Sequence, residues 1–233
     1  MEEDTFKPSG ELRSGWTTGA CATAAAKACT IALVRGKFEK SVTIQLPNGE
    51  RPTFLLSRHD LKGGKACAGI IKDAGDDPDV THGAEIIVTV MPGRQGGGIT
   101  FHAGDGVGTV SLPGLTIPVG EPAINPAPRK MICEVIQAVA STHDQAVDFE
   151  VTISIPGGKI LAKKTMNGRL GIMGGLSVLG TTGIVRPYSC SAWIHSIHRG
   201  IDVARATGLT HVAAATGKTS EAAIKEFYQL DPT

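Results

Sequence analysis

Small apolar residues dominate 20–34 without a two-residue alternation, and this spacing predicts a helix. Thr17 or Thr18 can cap its start, and Gly36 closes it. Val42, Ile44 and Leu46 then alternate with polar neighbours, Pro47-Asn48-Gly49 supplies a turn, and 53–56 returns as the second strand of a hairpin. The alanine-containing stretch 65–73, stopped at Gly75, predicts a short helix, and 86–90 a buried strand. Glycine and proline punctuate 92–128, which leaves room for short strands at best. Pro128 opens an amphipathic helix whose stripe is Met131, Ile132, Val135, Ile136 and Val139. Phe149, Val151, Ile153 and Ile155 alternate as a strand, which Pro156-Gly157-Gly158 turns toward 160–162.

The pattern changes after residue 168. Six glycines between Gly168 and Gly183 predict a linker and a binding loop. A helix follows over 191–207, with Ile194, Ile197, Ile201 and Ala204 on one face and Gly208 at its end. Residues 211–215 predict a short strand, Thr216-Gly217 a loop, and 220–230 a final helix. One or two parallel strands cannot bury both faces of a sheet. The expected class is therefore α/β: a domain over 1–168 that carries the motif loops, then 169–233 as the start of a second, incomplete α/β domain.

Composition narrows the function classes. Of 233 residues, 41% are hydrophobic and 19% charged, which excludes wholesale disorder, and a net charge of +1 argues against nucleic acid as a partner. The start Met1-Glu2-Glu3-Asp4 is acidic with no apolar run behind it, so no signal peptide is expected. Nothing approaches the roughly 20 apolar residues of a membrane span. Five cysteines, odd in number and never paired as C-x-x-C, fit reduced thiols and a cytoplasmic location.

Candidate chemistry sits in a few segments. Thr17-Thr18-Gly19-Ala20-Cys21 places hydroxyls and free N–H groups at a helix start, which serves either as a cap or as an anion site. Residues 73–83 gather Asp73, Asp76, Asp77, Asp79 and His82, suited to acid–base work or to plain turn capping. They lack the alternating register of a calcium loop. Gly104-Asp105-Gly106-Val107-Gly108 has the wrong spacing for a dinucleotide fingerprint and runs on into a strand. Gly217-Lys218-Thr219 ends like a phosphate loop, but Val212 stands where the first glycine belongs. His195 and His198 lie three apart on a helix without a third ligand, so no metal is expected.

Several of these stretches together resemble a known family. Residues 13–22 (Arg-Ser-Gly-Trp-Thr-Thr-Gly-Ala-Cys-Ala), the aspartate loop 73–83, Gly106 to Gly108, Gly114-Leu115, 120–126 and above all 170–187 resemble the cobalt-precorrin-5B C(1)-methyltransferase (CbiD) family. The resemblance implies an N-terminal domain similar to the second domain of ribosomal protein S5, followed by a Rossmann-like domain. It implies methyl transfer from S-adenosylmethionine to C-1 of a cobalt-corrinoid, cobalt-precorrin-5B, in anaerobic cobalamin biosynthesis. Cobalt enters only as part of the substrate. Its carboxylate arms call for arginines and backbone N–H groups.

With the motif chemistry, the resemblance nominates Asp77 and His82 as catalytic. Gly180, Thr181, Thr182, Gly183, Thr216 and Gly217 are nominated for the methyl donor. Arg13, Thr17, Thr18, Gly19, Arg129 and Arg186 are nominated for the substrate. Relatives run on past the equivalent of Thr233, so the second domain is expected to be cut short and this chain alone inactive. Self-association stays open, and a nucleotide-dependent small-molecule kinase and a non-catalytic corrinoid-binding protein are the competing classes.

Overall fold

The computed structural model describes residues 10–143 and 146–229. The acidic start and Leu230, the last residue of the expected final helix, lie outside them. A two-residue strand β1 (Gly15–Trp16) leads into helix α1 (Thr18–Arg35), which Thr17 caps by accepting the Ala20 N–H at 3.1 Å. The hairpin of β2 (Ser41–Thr43) and β3 (Thr53–Leu55) follows as expected, with Val42, Ile44 and Leu46 buried. Next come β4 (Arg58–Lys62), β5 (Lys65–Ile71), β6 (Glu85–Pro92), β7 (Ile99–Ala103) and the short β8 (Thr109–Val110). Helix α2 (Pro126–Ser141) buries Met131, Ile132, Ile136 and Val139 of the expected stripe. After it come β9 (Phe149–Ser154), the single-turn helix α3 (Gly158–Ala162), β10 (Ile172–Met173), β11 (Ile184–Val185), α4 (Cys190–Ala206) and α5 (Lys218–Tyr228).

The main sheet has the order β4-β5-β6-β9-β7. Its pairs are antiparallel except β7 with β9, which run parallel because α2 carries the chain back between them. Helix α1 packs against β5, β6 and α2. Its alanines 20, 22, 24, 25, 26, 28 and 32 are all buried, so helix and sheet approach closely. Ile86, Val88 and Val90 of β6, with Val151 and Ile153 of β9, form the centre of the core. Each such side chain contributes roughly 1.5–3 kcal/mol on burial.

Two elements differ from expectation. Residues 65–73, expected as a helix, form β5 instead. Gly63 and Gly64 both take positive φ and turn β4 back onto β5 as a tight hairpin. Ala66 and Ala68 are the small residues that let α1 lie on the sheet, so tertiary packing overrides alanine's helix propensity. Residues 211–215, expected as a strand, are exposed coil, with no ladder partner among the described residues.

The glycine-rich stretch expected to act as a linker is woven into the fold. β10 pairs with β8, Val178 bridges Ile124, and Leu176 and Val178 are buried. Beyond it burial falls away. Helix α4 buries Val203 and Ala204 near Gly114, while Trp193 (74% exposed), Ile194 and Ile197 face outward. This contrast sets an expected outcome. Ile153→Ala should lower unfolding free energy in urea by about 2–5 kcal/mol, as for other fully buried isoleucines. Ile197→Ser should change it by no more than about 0.5 kcal/mol, and a larger loss would mean that this face is covered in solution.

Candidate functional site

Three separated segments meet at one place. Residues 13–16 lie as a strap across the acidic loop: Trp16 N–H donates to Asp73 O (2.7 Å), Asp76 N–H donates to Arg13 O (3.0 Å), and Arg13 N–H donates to the Asp76 carboxylate (2.7 Å). The contact is so close that a Cβ on Gly15 would overlap the Ala74 backbone, and one on Gly75 the Arg13 carbonyl. The Arg13 guanidinium grips Asp73 through both oxygens, at 2.5 and 2.9 Å. The third segment is β11, which pairs with β1, and just beyond it Tyr188 donates its N–H to Asp77 Oδ1 at 3.0 Å. Tyr188 holds φ 55, a left-handed conformation uncommon for a non-glycine residue, and the Asp77 contact helps to fix it.

A cleft of about 450 Å³ opens on this junction, lined by Leu12, Ser14, Trp16, Glu50, Ile184, Arg186 and Pro187. Trp16 is backed edge-to-face by Phe54, with ring centroids 5.6 Å apart. Arg186 is exposed and makes no hydrogen bond or ion pair with the described residues. An apolar surface beside an open guanidinium suits a ligand with a flat apolar body and a carboxylate.

The other nominated residues are placed as follows. Asp77 holds Tyr188, and His82 accepts the Ala74 N–H on Nδ1 at 3.1 Å, so both are tied to loop backbone. Thr17 and Thr18 are buried. The Thr18 hydroxyl bonds both the N–H and the carbonyl of Leu179, and Gly19 N–H donates to Leu179 O. Gly180 packs on Thr17 and Gly183 on Leu46, closer than a Cβ would allow, while Thr181 and Thr182 are exposed. The N–H groups of Thr216 and Gly217 both donate to Ser220 Oγ, away from the junction.

Arg129 lines a separate cleft of about 690 Å³ along β7, with Phe101, His102 and Glu121. Its donors reach the Ile124 and Pro122 carbonyls and Glu121, and its guanidinium lies 5.3 Å from the Phe101 ring centre. Among the described residues no three His, Cys, Asp or Glu side chains gather as a metal site.

Sequence reasoning passed over Lys72, Trp16 and Tyr188. Among the described residues Lys72 is the largest fully buried side chain (1% exposed), and its ammonium meets Asp79 Oδ2 at 2.6 Å. Asp79 Oδ1 in turn accepts both the N–H and the hydroxyl of Thr81. Burial acts to raise the Asp79 carboxyl, but the Lys72 charge and the hydrogen bonds from Lys72 and Thr81 outweigh it and hold it below its ordinary value. A lone lysine ending the apolar run of β5 was the available signal. Burial pushes the Cys21 thiol up to about 12, so it stays protonated and inert.

A model of the CbiD family matches residues 5–187, which include the strap, the acidic loop and β11. The chain belongs to the CbiD family. It is 61% identical over 220 residues to a cobalt-precorrin-5B C(1)-methyltransferase of Brucella anthropi, a match covering 94% of this chain and 60% of that protein. The protein of that name from Brucella melitensis is 61% identical over 221 residues, with the same coverage. The chain thus spans three-fifths of the length of the curated CbiD relatives it matches. A crystal structure of the cobalamin biosynthesis protein cbiD from Archaeoglobus fulgidus superposes with a TM-score of 0.60 at 30% identity, covering 94% of this chain and 68% of that one.

In this CbiD-family chain the Arg13 hydrogen bond, the Gly75 N–H and the Arg13 charge together depress Asp73 from the ordinary 3.8 to about 2. Stability from the pair is therefore full above 3.8 and is lost as pH falls through about 2. Urea unfolding at several pH values should show Asp73→Asn losing less stability than the parent across that window. Parallel curves would mean that the pair is not formed in solution.

Proposed function

We propose that the protein methylates C-1 of cobalt-precorrin-5B with S-adenosylmethionine, giving cobalt-precorrin-6A on the anaerobic route to cobalamin. The observation that carries this reading is 61% identity to relatives named cobalt-precorrin-5B C(1)-methyltransferase. Methylation at a ring carbon needs alignment of two reactants and exclusion of water more than it needs a protein nucleophile. A carboxylate arm of the corrinoid is held by Arg186, with the ring against Trp16. Arg13, Thr17, Thr18 and Gly19 shape the backbone behind this grip, and Asp77 and His82 serve proton movement at the loop, while Arg129, in the separate β7 cleft, takes no part in it.

The fit to the methyl donor is poor in this chain. Thr17 and Leu46 fill the space at Gly180 and Gly183, and Ser220 occupies the N–H groups of Thr216 and Gly217. That leaves Thr181 and Thr182 as open contacts. We infer that 1–168 is the domain similar to the second domain of ribosomal protein S5. On this reading α4 and α5 begin a Rossmann-like domain over 169–233, whose further polypeptide covers their outward apolar residues and completes the donor site. The enzyme works in the cytoplasm without nucleic acid; where that further polypeptide is absent, a second copy can cover the same apolar faces instead.

The test is incubation of the cobalt-precorrin with S-adenosylmethionine carrying a labelled methyl, read by mass spectrometry. A protein of the relatives' full length should add one labelled methyl, and this chain alone should add none. Arg186→Lys in the longer protein should weaken substrate binding by on the order of 1–3 kcal/mol at unchanged melting, because lysine cannot make the bidentate grip. An unmethylated corrinoid from the longer protein would overturn the reading.

A further inference from the structure

Lys72 holds a buried charge against a carboxylate that is itself 26% exposed. A buried ion pair is commonly no more stabilising than apolar residues of the same size, because both charges lose their hydration. Yet this ammonium sits 1% exposed at the base of the acidic loop, where Lys72 N–H donates to Ala84 O and Gly83 N–H donates to Lys72 O. From that base the side chain crosses to Asp79 at mid-loop, and Asp79 anchors the turn that follows through Thr81 and His82. The opposite arm of the same loop carries Asp73, Asp76 and Asp77, which hold Arg13, Trp16 and Tyr188. The β1–β11 ribbon that carries Trp16 and Arg186 therefore hangs from a loop braced inside by the Lys72–Asp79 pair, with the longer His82–Asp73 contact (3.9 Å) at its exposed side.

We propose that Lys72 is a positioning residue: through Asp79 it fixes the acidic loop in the one shape that holds Trp16 and Arg186 side by side on the cleft-lining face of the β1–β11 ribbon. The proposal rests on the corrinoid reading for what the cleft holds, but not for the brace itself. An apolar pair at these positions would leave the fold standing and the loop free to choose among turns. A charged pair admits one register, since any other leaves a buried ammonium without its carboxylate.

The experiment uses this chain with Trp193→Phe, which leaves Trp16 as the reporting tryptophan; Trp193 is 74% exposed and lies outside the cleft. In that background Lys72→Met/Asp79→Leu removes both charges at once. Melting should stay close to the parent's. Trp16 emission should shift to the red and become more open to acrylamide. Hydrogen exchange at the Tyr188 amide should quicken by about tenfold or more, while β6 and β9 exchange as before.

Lys72→Met/Asp79→Asn, which removes both charges but keeps the Asp79 shape and its acceptor for Thr81, is the second variant should the first fail to fold, and it should move the same two signals. Unchanged Trp16 emission and Tyr188 exchange in a folded variant would overturn the proposal. Titration with cobyrinic acid, a cobalt-corrin polycarboxylate, separates the two ideas. Moved signals with weakened binding support both, and moved signals with undiminished binding support the brace and overturn the cleft as the corrinoid site.

Discussion

The strap at 13–16 and the loop at 73–76 touch backbone to backbone, and the rest of the site depends on that contact. Neither Gly15 nor Gly75 has room for a Cβ, so main-chain groups of two distant segments exchange hydrogen bonds directly. Once the strap is pinned, Trp16 is aimed, β1 can receive β11, and Arg186 follows at the end of β11. A cleft assembled from loops is thereby held by backbone geometry and charged hydrogen bonds on the scaffold of α1 and the main sheet. That is how a loop-built site becomes stiff enough to orient a large ligand.

Much of the scaffold was legible in the sequence because its signals are local. Thr17 before an alanine run, alternation at Val42, Ile44 and Leu46, and the apolar stripe after Pro128 each name their element without knowledge of neighbours. The stretch 65–73 misleads because its alanines serve helix packing from a strand, and only the Gly63-Gly64 turn betrays the hairpin. Residues 211–215 carry a strand's composition but have no ladder partner among the described residues.

The site was legible in its segments and not in its contacts. Arg13, Asp77 and Arg186 do converge, whereas Arg129 lies on another cleft and Thr216 and Gly217 stand apart. Spacing along the chain cannot reveal such pairings across 60 or 111 residues. Lys72 escaped notice because a charge at a strand end usually reaches water, and only burial distinguishes this one.

Packing is uneven along the molecule. The region matched by the family model is tightly packed, while α4 and α5 present Trp193, Ile194, Ile197 and Phe227 to solvent. The chain spans three-fifths of its relatives' length, and Thr216 and Gly217, two of the residues proposed for the donor, lie where packing thins.

The central claim is that the Trp16–Arg186 cleft receives a carboxylate arm of a cobalt corrin, and a crystal structure of the protein soaked with cobyrinic acid tests it most directly. The account predicts a corrin carboxylate bonded to both terminal nitrogens of Arg186, with the macrocycle edge against Trp16. A corrin seated elsewhere, such as the β7 cleft beside Phe101, with Arg186 turned to solvent, would contradict it.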